Sequence, residues 1–172
     1  MKSPLLAMLL MFLTISAPEV CAEVNRTIYL LRHAEKQTDE SKDPLLTVMG
    51  QRRALNIAKM LKNRNISTIY SSDFNRTKQT AQPLAELLGL TVTIYDPAKL
   101  EIFAKQLLRS QGNLLIVGHS NTTPGLASLL GGEDFGEIDH LEYHRVYQLS
   151  FDSKTVKSEL LFSKPIQTEY LK

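Results

Sequence analysis

Two imidazoles and two guanidiniums carry the chemistry legible in this chain. Arg32 and His33 close an apolar run in Tyr29-Leu30-Leu31-Arg32-His33-Ala34-Glu35-Lys36. His119 follows a second such run in Val117-Gly118-His119-Ser120-Asn121, and Arg76 follows a third that begins at Ile66. A permanent cation beside a titratable ring, where a strand gives way to a loop, occupies the place at which α/β proteins build sites. Two arginines and two histidines in one pocket, close to helix N-termini, suit a phosphate group. The same guanidiniums favour the neutral form of a nearby imidazole, so His33 can offer an unprotonated nitrogen to phosphorus near neutral pH. A phosphohistidine would result, with the arginines and His119 holding the equatorial oxygens whose charge must be stabilised in transfer.

For these groups to meet, the strands before them must lie in one open parallel sheet, whose following loops emerge on a common edge. The residues support that arrangement. Arg26 to Leu31 is apolar and β-branched and reads as a central strand, and the polar stretch Gln37 to Pro44 reads as a loop. Thr47 can cap a helix to about Lys62, with Ala54, Leu55, Ala58 and Leu61 on one face. A strand over Ile66 to Tyr70 follows, with Ser71-Ser72-Asp73 offering caps to a helix that buries Thr77, Ala81, Leu84, Ala85 and Leu88 and stops at Gly89. Pro83 predicts a kink or a restart in it. Leu90 to Tyr95 reads as a strand, Ala98 to Arg109 as a helix, and Asn113 to Val117 as a strand covered on both faces. Thr122-Thr123-Pro124 opens a helix that ends at Gly131-Gly132. Tyr143 to Phe151 and Thr155 to Phe162 read as an antiparallel hairpin at a sheet edge. Four β-α units and a hairpin predict an α/β fold: a three-layer α/β/α sandwich with a mostly parallel sheet.

Four segments resemble the histidine phosphatase superfamily in its phosphoglycerate-mutase-like branch. They are Leu31-Arg32-His33-Ala34-Glu35, Asp43-Pro44-Leu45-Leu46-Thr47 with Gly50, Tyr70-Ser71-Ser72-Asp73 with Arg76, Thr77, Gln79, Thr80 and Ala81, and Val117-Gly118-His119-Ser120-Asn121. They stand in the family's order and span most of residues 28 to 125. The resemblance implies that His33 is the phosphorylated nucleophile, that His119 assists transfer, that Arg32, Arg76 and His119 bind the phosphate, and that catalysis uses no metal or other cofactor. Ala34 stands where many members have glycine, which keeps the backbone donor and narrows the approach.

A second departure concerns the proton donor. Members that cleave phosphate esters supply a carboxylic acid, beside the second histidine or after the third strand. Ser120 fills the first place and cannot serve, which leaves Glu101 as the candidate general acid, although a glutamate early in a helix also complements the helix dipole. An alkoxide leaves poorly without a proton, whereas imidazole or phosphate leaves readily. If Glu101 points away, phosphohistidine or phosphoanhydride substrates fit better than sugar phosphates. The expected substrate is a small phosphomonoester or a protein phosphohistidine. Phosphoglycerate mutase activity is not expected, for want of a large capping insertion.

Composition sets the outer bounds. The chain has 172 residues and a formal charge of +2 with no basic block, which suits one domain and argues against a nucleic-acid partner. Lys2, the apolar stretch Leu5 to Ile15 and Val20-Cys21-Ala22 read as an export signal over residues 1–22, ahead of one catalytic domain over 23–172 in the periplasm or secreted. That stretch is short of the roughly twenty residues a spanning helix needs, so no stable membrane insertion is expected. Cys21, the sole cysteine, raises lipidation as an alternative; cleavage after Ala22 would leave a thiol-free chain. His140 and His144, four apart, would suit a metal only on a helix, and the oncoming strand argues for surface residues near the pocket rim. The run Glu133, Asp134, Glu137, Asp139 reads as a solvated loop. A binding module that keeps the phosphate pocket without turnover, and a metallohydrolase using His33, His119 and a carboxylate, are the rival readings.

Overall fold

The computed structural model describes residues 25–164; the expected export signal and Cys21 lie outside them. Ten elements follow in order: β1 (Arg26–Arg32), α1 (Val48–Leu61), β2 (Ile66–Ser72), α2 (Asn75–Leu88), β3 (Val92–Tyr95), α3 (Leu100–Arg109), β4 (Asn113–Gly118), α4 (Thr123–Leu129), β5 (Arg145–Phe151) and β6 (Val156–Phe162). They form one six-stranded sheet of order β3-β2-β4-β1-β5-β6. Pairings β1–β4, β2–β4 and β2–β3 are parallel; β1–β5 and β5–β6 are antiparallel. The fold is therefore the expected α/β sandwich with a mostly parallel sheet and a C-terminal hairpin at one edge.

Strand periodicity sorts the core into two layers. Ile28, Leu30, Leu114 and Ile116 point to one face, where Phe103, Ala104, Leu107, Leu126 and Ala127 of α3 and α4 cover them. Tyr29, Leu31, Leu115 and Val117 point to the other, under Ile57, Ala58, Leu61, Ala81, Leu84 and Ala85 of α1 and α2. Because β1 and β4 are buried on both faces, their sequences are continuous apolar runs rather than alternating ones. The chain leaves β1 toward one face and β4 toward the other, so the loops after these two adjacent strands part and open a crevice between them.

Local chemistry differs from expectation in several places. Leu55 is 48% exposed and Ile57 takes its place in the core, one residue out of the expected helical phase. Ser71, Ser72 and Asp73 do not cap α2; its first N–H, that of Asn75, donates instead to Asp43 Oδ1 at 2.8 Å. Pro83 does not restart α2 as a second element: one helix runs through it, with Thr80, Ala81, Leu84 and Ala85 buried around it. The helix expected from Ala98 begins at Leu100.

Candidate active site

The parallel register brings four strand ends level. Arg32 lies opposite Gly118, Ser71 opposite Val117 and Ser72 opposite Tyr95. Immediately past this line the His33 N–H donates to the Gly118 carbonyl at 2.9 Å, which ties the loop after β1 to the end of β4. A cavity of about 470 Å³ opens there, and Arg32, His33, Arg76 and His119 all line it. The four side chains expected to converge do so. His33 and His119 meet edge to face with ring centroids 5.5 Å apart.

The loop carrying His33 is clamped by α1 and α2. The Ala34 N–H donates to Thr80 Oγ1 at 3.0 Å, and the Leu46 N–H to Gln79 Oε1 at 2.8 Å. Glu35 forms a two-oxygen ion pair with buried Arg53 at 2.6–3.0 Å, and Arg53 Nη1 goes on to the Ser163 carbonyl at 2.6 Å. Gly50 lets α1 pack directly on this loop, since a Cβ there would stand 2.2 Å from the Glu35 carbonyl oxygen. These contacts explain why Gly50, Gln79 and Thr80 stand where they do, although none reaches the cavity.

Hydrogen bonds fix the protonated nitrogen on each ring. His33 Nδ1 lies 2.8 Å from the Ala34 carbonyl oxygen, which can only accept, so Nδ1 carries the hydrogen and Nε2 keeps its lone pair. His119 is held by a relay. Thr77 Oγ1 donates to the carbonyls of Ser72 and Phe74, each at 2.8 Å, and accepts from Ser72 Oγ at 3.1 Å. With its hydrogen directed there, Ser72 Oγ accepts from His119 Nε2 at 2.8 Å. The remaining His119 nitrogen, Nδ1, faces Arg76 Nη2 at 3.5 Å and accepts from it.

Burial, then the adjacent positive charges, hold both rings neutral. His33 is 3% exposed and pushed down to about 3, by desolvation first and then by Arg32, His119 and Arg76. His119 is pushed down to about 4, by desolvation and then by Arg76 and Arg32.

Each guanidinium is stacked and only partly satisfied. Arg32 lies 4.2 Å from the Tyr143 ring centroid, and its Nη1 donates to the carbonyls of Asp139, His140 and Glu142 at 2.9–3.0 Å. Arg76 lies 4.3 Å from the Phe74 ring and its Nη1 pairs with Asp43 Oδ1 at 3.6 Å. The Nε of each arginine is buried with no hydrogen-bond partner among the described residues. Buried donors without acceptors are costly, and here they belong to two cations on one cavity.

The candidate acid is the residue the structure does not bring to this cavity. Glu101 is exposed in the first turn of α3 and lines an adjoining cavity that shares only Pro97 and Ala98 with the first. No carboxylate lines the cavity of His33 among the described residues, nor does any group of three His, Cys, Asp or Glu stand close enough to hold a metal ion. His140 lies at the mouth of the cavity, while His144, on the loop before β5, faces Glu142 at 3.2 Å. Sequence reasoning gave no part to Ser72, Asp43, Tyr143 and Phe74. Ser72 and Asp43 lay within the matching segments, and the two aromatics carried no signal of their own.

At the crevice of a mostly parallel sheet, two histidines stand with two arginines that stack on aromatic rings, an arrangement suited to a small anion such as phosphate. Over residues 28–99 the chain is similar to the family whose model is described as histidine phosphatase superfamily (branch 1). It is 37% identical over 81 residues to a protein of Yersinia pestis (strain Pestoides F) described as a probable phosphoglycerate mutase GpmB. That match covers 44% of this chain and 37% of the relative's length. Among solved structures the fold is similar to the alpha-ribazole phosphatase from Shigella flexneri, with a TM-score of 0.64, 18% identity, and 83% of this chain and 99% of that one covered. It is also similar to a mycobacterial glucosyl-3-phosphoglycerate phosphatase, with a TM-score of 0.57, 18% identity, and 83% and 100% covered.

Proposed function

We propose that this protein is a phosphatase that works through a phosphohistidine on His33. The observation that carries this reading is the pairing of His33 Nδ1 with the Ala34 carbonyl. It leaves Nε2 unprotonated on a cavity where two arginine Nε groups are buried without partners. A phosphoryl group entering there meets a lone pair ahead of it and guanidinium donors around its oxygens. As charge gathers on those oxygens, the hydrogen that a phosphate monoanion itself brings is shared between one of them and His119 Nδ1, while Ser72 keeps the ring in place through Nε2.

Attack by Nε2 with Nδ1–H retained gives a phosphorylated imidazolium, whose positive charge the Ala34 carbonyl steadies and which leaves readily when water attacks phosphorus. The residues present ask for no metal or other cofactor in either step. A phosphorylated small molecule or a phosphoprotein is the proposed substrate. An unactivated alkyl ester is the class the cavity serves least, because Glu101 does not line it. The same proposal sets the activity outside the cytoplasm, on the strength of the apolar stretch Leu5 to Ile15.

Incubation with a labelled phosphodonor such as p-nitrophenyl phosphate is expected to give an acid-labile, alkali-stable adduct that disappears in His33→Ala. Steady turnover in the presence of chelator and inhibition by vanadate are expected alongside. Tight phosphate binding without adduct or turnover would instead make the protein a binding module, and loss of activity in chelator would make it a metallohydrolase.

A further inference from the structure

We infer that the cavity is built for a phosphoanhydride, in which the transferred phosphoryl group is joined through its bridging oxygen to a second phosphate rather than to carbon. This rests on the phosphatase reading above and concerns the leaving group alone. Its first support is that no carboxylate lines the cavity among the described residues. Carboxylates near the site are engaged elsewhere: Glu35 by Arg53, Asp43 by Arg76 and the Asn75 N–H, Glu142 by Arg145 and His144. Glu101 opens onto the neighbouring cavity. An alkoxide departing from phosphorus would find no carboxylic acid to protonate it, whereas a phosphate departs as a stable anion and needs none.

The second support is the charge at the mouth. The buried end holds Arg32 and His33, and the outer end carries half-buried Lys36 with exposed Asn121 and His140. Lys36 has no carboxylate within ion-pair distance among the described residues; its ammonium reaches only the Gln37 carbonyl, at 3.4 Å. Arg32 holds His140 at the mouth by gripping that loop's carbonyls. This end would repel an imidazole leaving group as it gains a proton, and it attracts a departing phosphate. The lack of a lining carboxylate among the described residues disfavours esters of carbon, the free ammonium disfavours phosphohistidine, and a phosphate leaving group satisfies both.

The step balances without a further reactant than water. His33 Nε2 bonds to the terminal phosphorus as the bond from phosphorus to the bridging oxygen breaks, and the electron pair leaves with the second phosphate. Water then bonds to the phosphorus of the imidazolium, the pair of the P–Nε2 bond returns to Nε2, and both water hydrogens depart on orthophosphate as H₂PO₄⁻.

The test uses the full chain in chelator with four probes: p-nitrophenyl phosphate, adenosine diphosphate, glycerol phosphate and phosphoimidazole. kcat/KM for the diphosphate is expected to exceed that for glycerol phosphate by about 100-fold and that for phosphoimidazole by about tenfold. Lys36→Gln is expected to cut diphosphate turnover about tenfold and p-nitrophenyl phosphate turnover by a clearly smaller factor. Glycerol phosphate or phosphoimidazole cleaved as fast as the diphosphate, or an equal effect of Lys36→Gln on both substrates, overturns the inference. If p-nitrophenyl phosphate is cleaved but the diphosphate is not preferred, only this inference falls. If no probe is cleaved and no His33 adduct forms, the phosphatase reading falls with it.

Discussion

Ser72 Oγ sits 2.8 Å from Nε2 of His119, and this single contact decides which nitrogen of that ring faces Arg76. Ser72 is fully buried and passes its own hydrogen to Thr77, so it can serve His119 only as an acceptor. Ser72→Ala should release the ring to rotate and exchange tautomers. The expected result is a fall in kcat of about tenfold, the value of one buried hydrogen bond, with a shifted acid limb in the pH–rate profile. An unchanged profile would assign Ser72 a packing role only.

Acid should weaken the fold through the two rings. Both histidines titrate below their ordinary value in the folded chain, at about 3 and about 4, and near 6.5 when unfolded. Between these limits the unfolded chain binds more protons, so stability rises with pH. The contribution is complete above about pH 6.5 and is lost progressively as pH falls toward 4 and 3. Thermal unfolding measured from pH 7 to pH 4 should show a falling Tm, and the slope should lessen in His33→Ala and in His119→Gln. Parallel slopes in all three proteins would contradict the assignment.

Gly50→Ala tests the seat of α1 on the loop after β1. Its Cβ would meet the Glu35 carbonyl oxygen at 2.2 Å, a backbone atom that cannot swing aside. Destabilisation of about 1–3 kcal/mol in denaturant unfolding is expected, together with reduced turnover from a displaced His33.

Asp43 joins two roles that substitutions can separate. Asp43→Asn keeps an oxygen for the Asn75 N–H and removes the charge beside Arg76. Asp43→Ala removes both and should cost about 1 kcal/mol of stability, as other lost helix caps do. Both variants should alter KM for p-nitrophenyl phosphate, and only the alanine should lower Tm.

Glu101→Gln should leave kcat/KM for p-nitrophenyl phosphate and for glycerol phosphate within about twofold of the parent, as for an exposed side chain away from the site. A selective loss on glycerol phosphate would restore Glu101 as the acid.

Most of the fold was legible because its signals are local. Continuous apolar runs marked β1 and β4, Thr47 marked the start of α1, and Gly89, at φ 66°, marked the end of α2. The convergence of Arg32, His33, Arg76 and His119 followed from topology, since parallel strands release their loops at one edge. What stayed hidden depends on distant residues. The cap of α2 comes from Asp43, thirty-two positions earlier. The partners of Arg32 are carbonyls more than a hundred positions later, and main-chain oxygens carry no residue-specific signal. Leu55 and Ile57 could be told apart only by the orientation in which α1 packs on the sheet. Glu101 was chosen by its place in the order of elements, which locates a helix and does not aim a side chain.

Arg32 grips the segment from Asp139 to Glu142 by its backbone oxygens, and the side chains of Asp139, His140 and Leu141 remain exposed. A loop anchored through its main chain tolerates exchange of its side chains, because any residue supplies the same carbonyl. This gives the protein a substitutable brim over a main-chain grip, a natural place to vary in a library that seeks new ligands without moving Arg32.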